Sequence, residues 1–113
     1  MEVVRLLGRL NPVAGNDGQI YLVGENKGCV ISSMNICNTD VNDATIRIAL
    51  IRDISADIYD YLEYNMVVYG NCSAQRLKGV TLAQGDIIVC WASSNNINFH
   101  LFGSEFDQSY EYA

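Results

Sequence analysis

Residues 87–92, IIVCWA, are apolar at every position, on both parities of an extended chain. A strand that meets water on one face alternates, whereas a strand covered on both faces does not. The stretch therefore reads as a central strand with material packed on either side, and it commits the chain to a layered β structure. Turn-forming residues bracket it. Upstream stands AQGD, where Gly85 can take a positive φ and Asp86 can bond its own turn backbone. Downstream, SSNN (Ser93 to Asn96) leads into a stretch in which Ile97, Phe99 and Leu101 alternate with Asn98, His100 and Phe102, the pattern of a half-buried strand. The two strands are predicted to form a hairpin, with Ile87, Val89, Trp91, Ile97, Phe99 and Leu101 filling the space between two sheets.

The same signals recur upstream. Ile46, Ile48 and Leu50 alternate with Thr45, Arg47 and Ala49, and CVISSMNICN (Cys29 to Asn38) runs from Gly28 to the turn-forming TDVND. IYLV (Ile20 to Val23) lies between NDG and GEN and reads as a short strand. Val3 to Leu7 is an edge strand or an arm, and RLKGVTL (Arg76 to Leu82) is a strand with Gly79 marking a bulge or bend. In residues 54–69, Ile54, Ile58 and Leu62 could line a helical face capped by Ser55. The crowding of Tyr and Val there favours extended structure, with room for a helical turn near Ser55. The count is seven or eight short strands, spaced about 8 to 12 residues apart. With 113 residues there is room for one domain. The expectation is an all-β, single-domain antiparallel sandwich, jelly-roll-like, over residues 1–113, with candidate arms at 1–14 and 104–113.

Hydrophobic residues make up 50% of the chain and charged residues only 18%, against about 25% charged in ordinary soluble domains. Either neutral polar groups such as Asn95, Asn96 and Asn98 dominate the surface, or partners cover part of it. The net charge is -6, and the basic residues Arg5, Arg9, Lys27, Arg47, Arg52, Arg76 and Lys78 are scattered. Phosphate-backbone binding needs them concentrated, so nucleic acid is not expected as a direct partner. The start, MEVVRLLGRLNPVAG, has charges inside its apolar stretch and does not read as a secretory signal. No apolar run approaches the roughly 18 residues of a membrane helix, so no membrane is expected.

Candidate chemistry is sparse. His100 is the one histidine, on the polar parity of the last strand, where a surface or interface role outweighs a catalytic one. A Cys90–His100 pair is compatible with the spacing, but nothing resembles G-x-S-x-G. Cys29, Cys37, Cys72 and Cys90 show neither C-x-x-C nor zinc spacing; they read as buried or half-buried thiols, with a disulfide formed outside the cell as the alternative. Asp40, Asn42 and Asp43, and likewise Asp57, Asp60 and Glu63, lie close in sequence without the order of a calcium loop. No catalytic set, cofactor or metal is expected. Aromatics stand out instead: Tyr59, Tyr61, Tyr64 and Tyr69 crowd eleven residues, and Tyr110 and Tyr112 lie near the C-terminus. Tyrosines in this number line a sheet surface, an interface with protein, or a sugar-stacking platform together with Trp91.

The runs LLGRLNPVAG (Leu6 to Gly15), YLVGENKGCVISSMNICN (Tyr21 to Asn38), DATIRIAL (Asp43 to Leu50) and GVTLAQGDIIVCWASSNNINFHLFGSE (Gly79 to Glu105) resemble a family of small virion structural proteins of tailed bacteriophages, of the cyanophage and marine-phage type. GEN, at Gly24 to Asn26, departs from the Pro-containing turn frequent in that family. The resemblance implies a non-enzymatic β-sandwich on the particle exterior, as capsid decoration or as a tail, baseplate or neck component. It would sit in the virion, and in the host cytoplasm during assembly. Its partners would be other virion proteins and copies of itself, a homotrimer or larger ring, with Phe106, Tyr110, Tyr112, Tyr59 and Tyr61 as interface residues. A carbohydrate-binding module for host surface glycans is the alternative.

Overall fold

The computed structural model describes residues 3–52 and 59–107. Among them are nine β-strands and no helix: β1 (Arg5–Leu10), β2 (Asp17–Leu22), β3 (Lys27–Asn38), β4 (Ala44–Ile51), β5 (Asp60–Val68), β6 (Ser73–Arg76), β7 (Val80–Leu82), β8 (Ile87–Ala92) and β9 (Ile97–Asp107). One antiparallel sheet has the order β1-β9-β3-β6, with β7 also on β3; the other has the order β2-β8-β4-β5. The pairing is nested. β4 pairs with β5, β3 with β6 and β7, β2 with β8, and β1 with β9. A long two-stranded ribbon has thus been folded over so that successive pairs alternate between layers, which is the jelly-roll wrap.

Nine strands replace the expected seven or eight because one of them is split. β6 pairs with Met34–Cys37 of β3 and β7 with Cys29–Ile31, so together they fill a single strand position. The split falls inside RLKGVTL, read from sequence as one strand. Leu77 (φ 63°) and Gly79 (φ 80°) both take left-handed backbone there and turn the chain out of the ladder.

The expected β8–β9 hairpin does not form. β8 lies between β2 and β4 in one sheet, β9 between β1 and β3 in the other, and Ser93–Asn96 crosses from layer to layer. The crossing residues are held by other loops. Ala14 N donates to Asn95 Oδ1 (2.7 Å), Thr39 N to Asn96 O (3.0 Å) and Ser93 N to Thr45 O (3.0 Å).

The inward rows meet as the core. Cys29, Ile31, Met34 and Ile36 of β3 and Ile97, Phe99 and Leu101 of β9 face Ile46 and Ile48 of β4 and Ile88, Cys90 and Ala92 of β8. Full burial of each Ile, Leu, Met or Phe among them is worth about 1.5–3 kcal/mol. Ile97, Phe99 and Leu101 fill the interior as expected. Ile87, Val89 and Trp91 do not, because the opposite parity of β8 points inward. Period two cannot choose a parity in a segment apolar throughout. The placement of β8 as a strand covered on both faces does hold, since Ile87 to Cys90 are all buried.

Bulges adjust the facing along the long strands. Residues 29 and 31 of β3 face inward, as do 34, 36 and 38, and the change of parity sits at the register shift between Ile31 and Ser33. At one side of the sandwich Gly8 lies against the Ile20 carbonyl, where a Cβ would collide with the oxygen. Beside it Arg5 pairs with Glu105, which also accepts from Tyr21 Oη (2.5 Å). At the other side Arg76 of β6 reaches Glu63 of β5 (3.4 Å) and closes the gap between the sheets.

The segment expected as an N-terminal arm is, over Arg5–Leu10, the edge strand β1. Ser104 to Asp107, the start of the expected C-terminal arm, pair with Val30 to Lys27 as the end of β9. Residues 108–113 and 53–58, and with them Tyr110, Tyr112 and the helical turn considered near Ser55, lie outside the described residues.

Candidate functional site

The two outer faces differ in chemistry. On the five-stranded sheet, one row of register partners reads Arg9, His100, Asn35 and Gln75. It is polar. On the four-stranded sheet, the corresponding rows read Asp17, Trp91, Arg47 and Tyr64, then Gln19, Val89, Ala49 and Tyr61, then Leu22, Ile87 and Ile51.

This second face is the candidate site. Ala49, Ile51, Ile87 and Val89 form a buried cluster separate from the core, with half-buried Tyr59 packed against it. Beside the cluster stand the exposed Leu22 (49%) and Tyr61 (46%), with Tyr64 (58%) one row further on and Val67 (46%) beyond it, opposite Thr45. Tyr59 and Tyr61 have ring centroids 6.1 Å apart at 33°, and Tyr61 and Tyr64 meet edge-on at 4.8 Å and 77°. The Arg47 guanidinium lies 4.2 Å from the Trp91 ring centroid and 4.6 Å from that of Tyr64, while its Nε donates to Asn65 Oδ1 (2.7 Å). Cation–π attraction of this kind is worth about 0.5–1 kcal/mol per ring at an exposed site. The arrangement depends on a bulge in β5. Pairing passes from Ile46–Met66 to Arg47–Tyr64, and the skipped Asn65 takes φ 54°, so Tyr64 comes into line with Arg47 and Trp91.

The structure thus gathers Tyr59 and Tyr61 on one face and adds Tyr64, Trp91 and Arg47 to them. Phe106 is elsewhere. It pairs with Gly28 at the end of β9 in the other sheet, where alternation with the inward-reaching Glu105 turns it to that sheet's outer face. Arg47 and the apolar residues of β8 were the missed members. The signal for β8 lay in IIVCWA, apolar on both parities; in β4 the outward row is Thr45, Arg47, Ala49 and Ile51, and nothing in it marked Arg47.

The other residues weighed for chemistry have structural partners or sit apart. Cys90 is sealed in the core, where burial pushes its thiol far up, while His100 is on the outward parity of β9. No Cys–His pair forms. All four cysteines are free thiols, Cys29 and Cys90 buried, Cys37 half-buried and Cys72 exposed. Asp40 Oδ1 accepts from Val41 N (2.7 Å), and Asp43 Oδ1 accepts from Gly70 N (2.9 Å), so both acids hold turns. Among the described residues no group of three or more His, Cys, Asp or Glu is arranged to hold a metal ion. No helix among them is long and apolar enough to cross a membrane. Comparison with models of protein families, with curated proteins and with solved structures finds no match.

Proposed function

We propose that the chain is a non-enzymatic structural subunit that assembles through the outer face of its four-stranded sheet, its partner there being a second copy of itself. The observation that carries this reading is the outer face of the four-stranded sheet, where the exposed side chains Leu22, Tyr61 and Tyr64 stand together beside a sealed apolar cluster. Large aromatic and aliphatic side chains left exposed together mark interaction sites. Trp, Tyr and Arg, the residue types that dominate interface energetics, meet beside the cluster as Trp91, Tyr64 and Arg47. Closed homo-oligomers, a trimer or larger ring, are the form such a subunit takes. Two observations support a place on the exterior of a tailed-phage particle, among other virion proteins: the family resemblance of the sequence and the jelly-roll wrap, an architecture used by capsid domains.

The sugar-binding alternative draws less support from this face. Stacking needs open, level ring faces. Here the tyrosine rings are tilted against one another, and Arg47 already covers one face of both Trp91 and Tyr64.

Sedimentation velocity over a concentration series tests the assembly reading. The expected result is a defined oligomer that the double variant Tyr61→Glu/Tyr64→Glu converts to monomer with its β circular dichroism intact. A protein monomeric at every concentration, or an oligomer indifferent to these changes, would refute it. Imaging of whole particles with an antibody to the chain tests the virion placement.

A further inference from the structure

On the outer face of the five-stranded sheet, Arg9, Leu10, Asn11, Asn98, Phe99 and His100 line a concavity of about 380 Å³ between β1 and β9. No carboxylate lines it, in a chain that carries 13 Asp and Glu. Four of the seven basic residues are engaged by acids: Arg5 by Glu105, Lys27 by Asp107, Arg52 by Asp86 and Arg76 by Glu63. Arg47 is held between rings. Arg9, among the described residues, has neither an acid nor a hydrogen-bond partner, and it stands directly across the ladder from His100. An unopposed guanidinium beside a recess is a ready partner for a carboxylate, whose two oxygens match its fork of N–H donors.

His100 supplies the second donor. Its Nδ1 is buried and has no hydrogen-bond partner. A buried N–H left without an acceptor is the rarer and more costly kind of orphan, so the proton of the neutral ring belongs on Nε2. Nε2–H makes no bond within the protein and remains free to donate. The side-chain amide of Asn98 is likewise unengaged. Along the same row the amides of Asn35 and Gln75 extend a neutral, hydrogen-bonding surface away from Arg9. Amides in series suit hydroxyl groups. The recess also falls within the roughly 300–1,000 Å³ of small-molecule sites, larger than a bare anion needs.

From this geometry we infer that the Arg9–His100–Asn98 recess binds a sugar acid: a carboxylate on Arg9 and His100 Nε2, and hydroxyls on Asn98 and the amide row beyond. The site is on the sheet face opposite the assembly surface and stands or falls independently of it.

Titration of ¹⁵N-labelled protein with glucuronate, with glucose and acetate as controls, tests it by NMR. Saturable shifts are expected at the backbone amides of residues 9–11 and 98–100 with glucuronate. Glucose, lacking the carboxylate, should leave them in place, and acetate should bind more weakly than glucuronate. Arg9→Gln should weaken glucuronate about tenfold or more, the loss of one charge-assisted contact. Asn98→Asp, which places a carboxylate in the recess, should abolish binding; a preserved amide spectrum elsewhere shows that each variant folds. Silence with glucuronate, equal binding of glucose, or an affinity unmoved by Arg9→Gln would overturn the site. Acetate binding as tightly as glucuronate would overturn its assignment to a sugar acid.

Discussion

Among single residues, Asn38 does the most with one polar side chain. It is 1% exposed. Its Nδ2 donates to Asn42 O (2.9 Å) and Val68 O (3.0 Å), and its Oδ1 accepts from Asp40 N (2.9 Å), so it ties the ends of β3 and β5 to the loop before β4. Asn38→Leu keeps the volume and strands those three backbone groups; urea denaturation should show a loss of about 3 kcal/mol or more, from a penalty of about 1–3 kcal/mol for each buried orphan. Asp86 is similar on a smaller scale, 3% exposed, with Oδ2 accepting from Ala83 N (2.8 Å) and Arg52 Nη1 (3.0 Å). Titration of buried groups sets the alkaline limit. Burial raises Cys90 and Cys29, and it raises Tyr21 together with that residue's hydrogen bond to Cys29. A folded-state pKa above the unfolded one means stability is complete below the ordinary value and declines as pH climbs past it. The melting temperature is therefore expected to fall once pH exceeds about 9, where unfolded thiols ionise first. Alkylation at neutral pH should modify Cys72 rapidly and Cys37 slowly, and reach Cys29 and Cys90 only on unfolding. Mass spectrometry of a labelling time course reads this directly.

At the level of elements, the bulges decide what each strand presents. Asn65 holds left-handed backbone at φ 54° in the middle of β5, a conformation Gly adopts freely and a β-branched residue does not. Asn65→Val should cost about 1–2 kcal/mol from backbone alone and separate Tyr64 from Arg47, whereas Asn65→Gly should retain most of the stability. Thermal melts and the near-ultraviolet signal of Trp91 distinguish the two. The strands themselves were legible: alternation marked β4 and β9, and a wholly apolar run marked β8. Their pairing was not. Ser93–Asn96 reads as a turn cluster because its residues favour reversal, but a chain can reverse within a sheet or step to the other layer using the same residue types. Among the nine strands only β4 and β5 pair with a sequence neighbour, so local signals had almost no say in the topology. The same limit explains β8. With every position apolar, its inward row was set by which neighbours β2 and β4 offered on each side.

Seen as a whole, the molecule is a jelly roll with Tyr61, Tyr64, Trp91 and Arg47 gathered on the outer face of one sheet and the Arg9, His100, Asn35 and Gln75 row on that of the other. The proposed oligomer, held by apolar burial rather than by ion pairing, should persist as salt rises to about 0.5 M, where the Debye length has shrunk to a few ångströms. Dissociation under those conditions in the centrifuge would point to charge pairing instead. Arg47→Met removes the stacked cation but leaves the apolar stem; it should lower stability by about 1 kcal/mol and weaken assembly more than it weakens folding. Composition and periodicity were sufficient for an all-β single domain with β8 at its centre, since backbone pleat and apolar burial are local properties of each segment. They also marked the tyrosines as a surface population. Which parity of β8 faced the interior, which layer received β9, and that Arg47 would come to rest between Trp91 and Tyr64 were decided by the wrap. These depend on residues far apart in the chain meeting across a ladder, and a one-dimensional pattern carries no record of which distant strand will be its neighbour.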